Sequence, residues 1–222
     1  MGHKIPEIKT PLRQKLIELP PEIQGASGLY ILGQQIKSII FSTDIVIIRS
    51  NNADSIMAVY PFTPQPVITH AIATAADRPV MMGVGGGTTR GRRVVNLALD
   101  AEFQGALAVV LNAPTSNQTL KAVRNTIDIP IIISIVSPLE DVNKRLDAGA
   151  TILNVSAGPK TPTVVAKIRG QHPDVPIIAT GGPTGDTIRA TIAAGANAIT
   201  YTPPRTPDLM KELMDKYRAE LS

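Results

Sequence analysis

The sequence predicts an α/β fold of the TIM (β/α)8 barrel type, a single domain that opens with a helix and a hairpin. Three observations predict it. Apolar, β-rich runs recur eight times, about every two dozen residues. They are continuously apolar rather than alternating, as strands buried on both faces of a parallel sheet must be. Their boundaries alternate: Pro79, Pro130 and Pro176 open three strands, where a missing N–H is tolerated, and Gly105-Ala106, Gly149-Ala150 and Gly195-Ala196 precede three others. The alternation amounts to a βαβα repeat of roughly 46 residues.

Residues 1–35 stand outside the repeat and are expected to form an extension, with the barrel over 36–222. Leu12 to Leu19 has the length of a short helix stopped by Pro20 and Pro21. Leu29 to Leu32, followed by Gly33, reads as one arm of a hairpin whose other arm runs into strand one. The strands are expected at Ile36–Phe41, Ile56–Tyr60, Val80–Val84, Ala106–Leu111, Ile131–Val136, Ile152–Ser156, Ile177–Thr180 and Ala198–Tyr201. Helical spacing lies between them, as in Val94, Leu97, Ala98 and Ala101. The competing assignment makes Leu29 to Ile40 one amphipathic helix and Ile45–Ile48 the first strand. It leaves about seven residues before the next strand, fewer than the dozen or so that a parallel crossover needs.

Composition narrows the function classes. With 222 residues the chain can bury a full core. No apolar run reaches the ~18 residues of a membrane span, and no signal layout opens the chain, so a cytoplasmic protein is expected. The absence of cysteine excludes disulfides and thiolate chemistry. A net charge of +4 with few aromatic residues gives no nucleic-acid face. The one basic cluster, Arg90, Arg92 and Arg93, suits a solvated or phosphate-facing helix start.

In such a barrel the working residues sit at the C-terminal ends of strands and in the loops that follow. Those positions hold Asp44, Tyr60, Thr63, Gly83 to Arg90, Asn112, Ser134, Ser137, Asn154, Ser156, Lys160, Thr180 to Gly182, Tyr201 and Thr202. Only Asp44 is acidic, and His3, His70 and His172 are scattered, so no metal site is expected. Paired glycines Gly181 and Gly182, where a strand gives way to a helix, suit an anion. Gly85, Gly86 and Gly87 with Arg90 form a second candidate loop, for which a tight turn without ligand is the plain alternative. Lys160 could polarise a carbonyl or form a Schiff base, or be a solvated loop lysine. Asp44 is the candidate base, although Ser42-Thr43-Asp44 also spells a helix N-cap. Asn112, Asn154 and Ser156 complete the catalytic candidates.

Pro130 to Thr202, with IPIIISIVS, LDAGATILNVSAG, VPIIATGG and AAGANAITYT, resembles the second half of the phosphate-binding barrels. These include N-acetylmannosamine-6-phosphate epimerase, thiazole synthase and the flavin-dependent nitronate monooxygenase and inosine-monophosphate dehydrogenase class. LYILGQQIKSIIFSTD is similar to the entrance of thiazole synthase, and the whole chain resembles small bacterial barrels labelled generically as hydrolases. The resemblance implies a phosphate held by Gly181, Gly182 and the loop after strand eight, where Thr202 stands. There the chain departs from the pattern, because Pro203 and Pro204 remove N–H donors and weaken the case for a flavin.

The expected function is an enzyme acting on a small phosphorylated or carboxylated metabolite by isomerisation, epimerisation or lyase chemistry. The alternatives are a hydrolase, an FMN-dependent oxidoreductase and a non-catalytic metabolite-binding barrel. No cofactor is required. The expected partners are a small anionic metabolite and further copies of the chain in a homo-oligomer, with no nucleic acid and no membrane.

Overall fold

The structure is a computed structural model that describes residues 6, 8, 17–60 and 65–220. Eight parallel strands close a barrel: β3 (Ser38–Phe41), β4 (Ser55–Ala58), β5 (Val80–Gly85), β6 (Ala108–Leu111), β7 (Ile131–Ile135), β8 (Ile152–Val155), β9 (Ile177–Thr180) and β10 (Ala198–Tyr201). Each pairs with its sequence neighbours, and β10 closes on β3 through Ile199 opposite Ser38. The helices are α1 (Ile45–Arg49), α2 (Pro66–Ala75), α3 (Arg92–Phe103), α4 (Asn117–Arg124), α5 (Val142–Asp147), α6 (Thr161–Gln171), α7 (Gly185–Ala193) and α8 (Thr206–Glu220). Among the described residues no helix is long and apolar enough to cross a membrane.

The punctuation in the sequence has a hydrogen-bond explanation. Carbonyl oxygens of Pro79, Pro130 and Pro176 accept from Ile56, Val109 and Leu153 N–H, so each proline serves the sheet as an acceptor alone. At the Gly-Ala turns glycine takes positive φ and the alanine N–H reaches back into the helix, as from Ala106 to the Ala101 carbonyl at 3.0 Å. That bond consumes Ala106, and the fourth barrel strand begins at residue 108 rather than 106.

Strand one is also shorter than expected. The hairpin β1 (Leu29–Ile31) and β2 (Gln34–Ile36) turns at Leu32-Gly33, both at positive φ, and Ile36 belongs to it. Asp54 Oδ2 accepts from Lys37 N–H, Ser38 N–H and the Ser38 hydroxyl, each at 2.9 Å, which separates the hairpin from β3. Leu29, Ile31 and Ile36 join Ile39, Met57, Met81, Ile132, Ile152 and Ile178 in the lumen core, so the hairpin plugs the N-terminal end of the barrel. Ile45–Ile48 is helical, which rules out the competing assignment.

The expected helix over Leu12–Leu19 falls mostly outside the described residues. Its last three are not helical: Ile17 forms a parallel bridge with Asn51, and Leu19 N–H donates to Asn52 Oδ1. Thr63 also lies outside the described residues.

Candidate functional site

Alternate residues of each strand face the lumen. In the uppermost layer this parity places Phe41, Gly83 and Val110 on the first, third and fourth strands, Val59 just beyond the second, and Ser134, Asn154, Thr180 and Thr200 on the last four. The mouth is therefore half apolar and half neutral polar. A cavity of about 380 Å³ opens there, walled by Phe41, Met57, Val59, Val110 and Val136 on its apolar side and by Asn112, Ser134, Asn154 and Ser156 on its polar side. Among the described residues no cluster of three or more His, Asp or Glu side chains could hold a metal ion.

Three of the predicted catalytic residues thus meet. Asn154 is buried; its Nδ2 donates weakly to Ser134 Oγ at 3.4 Å and its Oδ1 has no partner. Either orientation of the carboxamide leaves one end unpaired beneath the cavity. Ser156 Oγ accepts from Thr180 Oγ1 at 3.2 Å, and Thr200 Oγ1, in the same layer, is buried without a partner.

Lys160 and Asp44 stand apart from this cavity. Lys160 is exposed at the end of a 3₁₀ turn (Gly158–Lys160), four residues beyond Ser156. Asp44 caps α1: Oδ1 accepts from Val46 and Ile47 N–H, while Oδ2 accepts from the Thr206 hydroxyl at 2.7 Å. That last bond ties the first β/α connection to the eighth. After the fifth barrel strand, the Lys144 side chain and then its N–H hold the Asp141 carboxyl, the cap of α5, below the usual carboxylate range.

Packing accounts for the glycines after β9. A Cβ on Gly181 would lie 2.7 Å from Ile199 Cγ2 and 2.9 Å from Ile188 Cγ1, and one on Gly182, at φ +82°, 2.6 Å from Thr187 Oγ1. Gly181 N–H donates to the Thr200 carbonyl at 3.3 Å. Thr184 and Thr187 close a capping box on α7, and the Glu22 carboxylate lies against Gly185 while pairing with Arg189 at 2.9 Å. Several donors available to an anion there are thus taken by the protein itself. Thr202 is exposed beyond β10.

The second glycine loop folds back on itself. Gly86 N–H donates to the Thr89 carbonyl at 3.2 Å, Arg90 Nε to the Gly87 carbonyl at 2.8 Å, and Asn112 N–H to the Gly85 carbonyl at 2.9 Å. Sequence reading missed Thr115 and Arg145. Arg145 reaches from α5 to brace residues 113–117, donating to the Ala113 and Thr115 carbonyls, Asn117 Oδ1 and Glu140 Oε1. In sequence it is one more charge on a short polar helix, and no local signal distinguishes it.

No family model matches the chain, and no curated protein matches it. Solved structures do resemble it. Phosphoenolpyruvate phosphomutase from Streptomyces platensis subsp. rosaceus aligns with a TM-score of 0.62 at 15% identity, over 83% of this chain and 82% of that one. Phosphonopyruvate hydrolase gives 0.60 at 14%, over 89% and 83%. Thiamine phosphate pyrophosphorylase from Pyrococcus furiosus gives 0.57 at 17%, over 74% and 84%. At such identities the likeness shows the fold alone, and with the closed ring of eight parallel strands it makes this chain a TIM (β/α)8 barrel.

Proposed function

We propose that this barrel is an enzyme acting on a small phosphorylated or carboxylated metabolite, by isomerisation, epimerisation or lyase chemistry at the C-terminal mouth. The observation that carries the reading is the buried Asn154 carboxamide, unpaired at one end beneath a cavity that is half apolar. With the carboxamide turned so that Oδ1 accepts from the Ser134 hydroxyl and Nδ2 faces the cavity, it is a preorganised donor out of water to a carbonyl or developing oxyanion, and needs little reorganisation when charge appears. In this reading Asn112, Asn154 and Ser156 orient and polarise the ligand. Lys160 supplies the positive charge by swinging in from its exposed turn. Asp44 is the base, and release of its Oδ2 from Thr206 is the movement that role requires.

No cofactor is needed. A flavin phosphate would look for donors after β9 and β10, where Gly181 N–H is engaged and Pro203 and Pro204 have none. One observation favours a second reading, a non-catalytic metabolite-binding barrel: the cavity lining is neutral throughout.

A thermal-shift screen of sugar phosphates and small carboxylates, followed by turnover assays of each hit, tests both readings. A ligand at ~100 times its dissociation constant adds about 2.7 kcal/mol, which moves the midpoint by several degrees. Asn154→Leu is expected to abolish that shift. Lys160→Ala is expected to preserve it and to lower turnover by at least ~100-fold. An equal shift in Asn154→Leu would remove the mouth as the site, and binding without turnover would select the second reading.

A further inference from the structure

We propose a separate oxyanion-binding site between the third and fourth β/α connections, across the barrel from Gly181 and Gly182. A cavity of about 210 Å³ lies there, lined by Thr89, Arg90, Val94, Thr115, Ser116 and Thr119 together with Pro114. Thr89 and Thr115 are only 3% and 6% exposed, and neither hydroxyl oxygen has a hydrogen-bond partner. A buried hydroxyl without a partner is unfavourable and uncommon, and two that line one cavity point to a ligand that accepts from both.

The surroundings select the ligand's charge. Arg90 Nε is fixed on the Gly87 carbonyl, and its two terminal nitrogens have no protein partner among the described residues, so the guanidinium is oriented yet open to a bidentate anion. The twelve-residue helix α3 begins immediately beyond, and its N-cap, Gly91, brings no side-chain acceptor to the first turn. The two unpartnered hydroxyls and the guanidinium can all donate, and no acidic residue lines the cavity. The ligand class is a phosphate or carboxylate group.

That group could be a free ion or the anionic end of a longer molecule, since Pro114 borders both this cavity and the mouth. The proposal does not rest on the reading of the mouth, because its donors are different residues.

The test is titration of the full chain with inorganic phosphate at constant ionic strength, by calorimetry and by thermal shift. Saturable binding is expected, weakened at least ~10-fold by Arg90→Gln and by the Thr89→Val, Thr115→Val double variant. Because valine replaces an unsatisfied hydroxyl with a methyl of similar shape, the double variant without phosphate should melt at or above the wild-type midpoint. Thr89→Ser and Thr115→Ser keep the hydroxyls and should retain binding. Asn154→Leu should leave phosphate binding unchanged. No saturation in the wild type, full binding by the double variant or by Arg90→Gln, or loss of binding in Asn154→Leu would each overturn the site. If phosphate competes with a phosphorylated hit from the mouth screen, the site holds that ligand's tail; independent binding makes it a site for the free ion.

Discussion

Arg145→Ala is expected to destabilise the protein by about 3–5 kcal/mol, or roughly 10 °C in melting midpoint for a chain of this size. The side chain is 13% exposed and its partner Glu140 14%, so truncation strands a largely buried carboxylate. It also removes the donors to two backbone carbonyls and to Asn117 Oδ1. Arg145→Lys keeps the charge but cannot span acceptors on several sides at once, and should recover less than half of the loss. Urea unfolding measures both. The functional consequence goes further, because the braced segment, residues 113–117, carries Thr115 and continues from Asn112. Phosphate binding should fall with stability in Arg145→Ala, and a loss below ~1 kcal/mol would show that the brace is not structural.

Gly86→Ala is the second large effect, expected at about 3 kcal/mol or more, with Gly87→Ala one residue away costing about 1–2. Both glycines have positive φ, +101° and +78°, so both substitutions strain the backbone. They differ in what the new methyl meets. At Gly86 it would lie 2.5 Å from Asn112 Cβ and 2.9 Å from Asn112 Cα and N, whereas at Gly87 it enters open space. Asn112 cannot retreat easily, since its N–H donates to the Gly85 carbonyl at 2.9 Å. Comparing the two melting midpoints separates steric contact from conformational strain. Equal losses would show that the loop and Asn112 are not locked together, and that the mouth cavity does not depend on that loop.

The barrel was legible because its determinants are local. Continuous apolar runs, proline at strand starts and Gly-Ala at helix ends each act within a few residues, and they fixed strand number, order and parallel direction. Exact limits were less legible where a distant side chain intervened, as when Asp54 takes the N–H groups of Lys37 and Ser38 and ends the hairpin at Ile36. The motif at Gly181-Gly182 was visible, yet the same glycines serve the close approach of Ile188 and Ile199 and a turn against Thr187.

By itself, then, the sequence determined the barrel and the scarcity of acids and histidines among the residues at its mouth. Tertiary structure alone decided that Asn112, Asn154 and Ser156 share a cavity from which Lys160 and Asp44 are absent. It also decided that Thr89 and Thr115, which lie on separate β/α connections, line one pocket with neither hydroxyl paired. The physical reason is that residue type and parity dictate which side chains face inward, while loss of water and the supply of hydrogen-bond partners depend on neighbours that only barrel closure brings together.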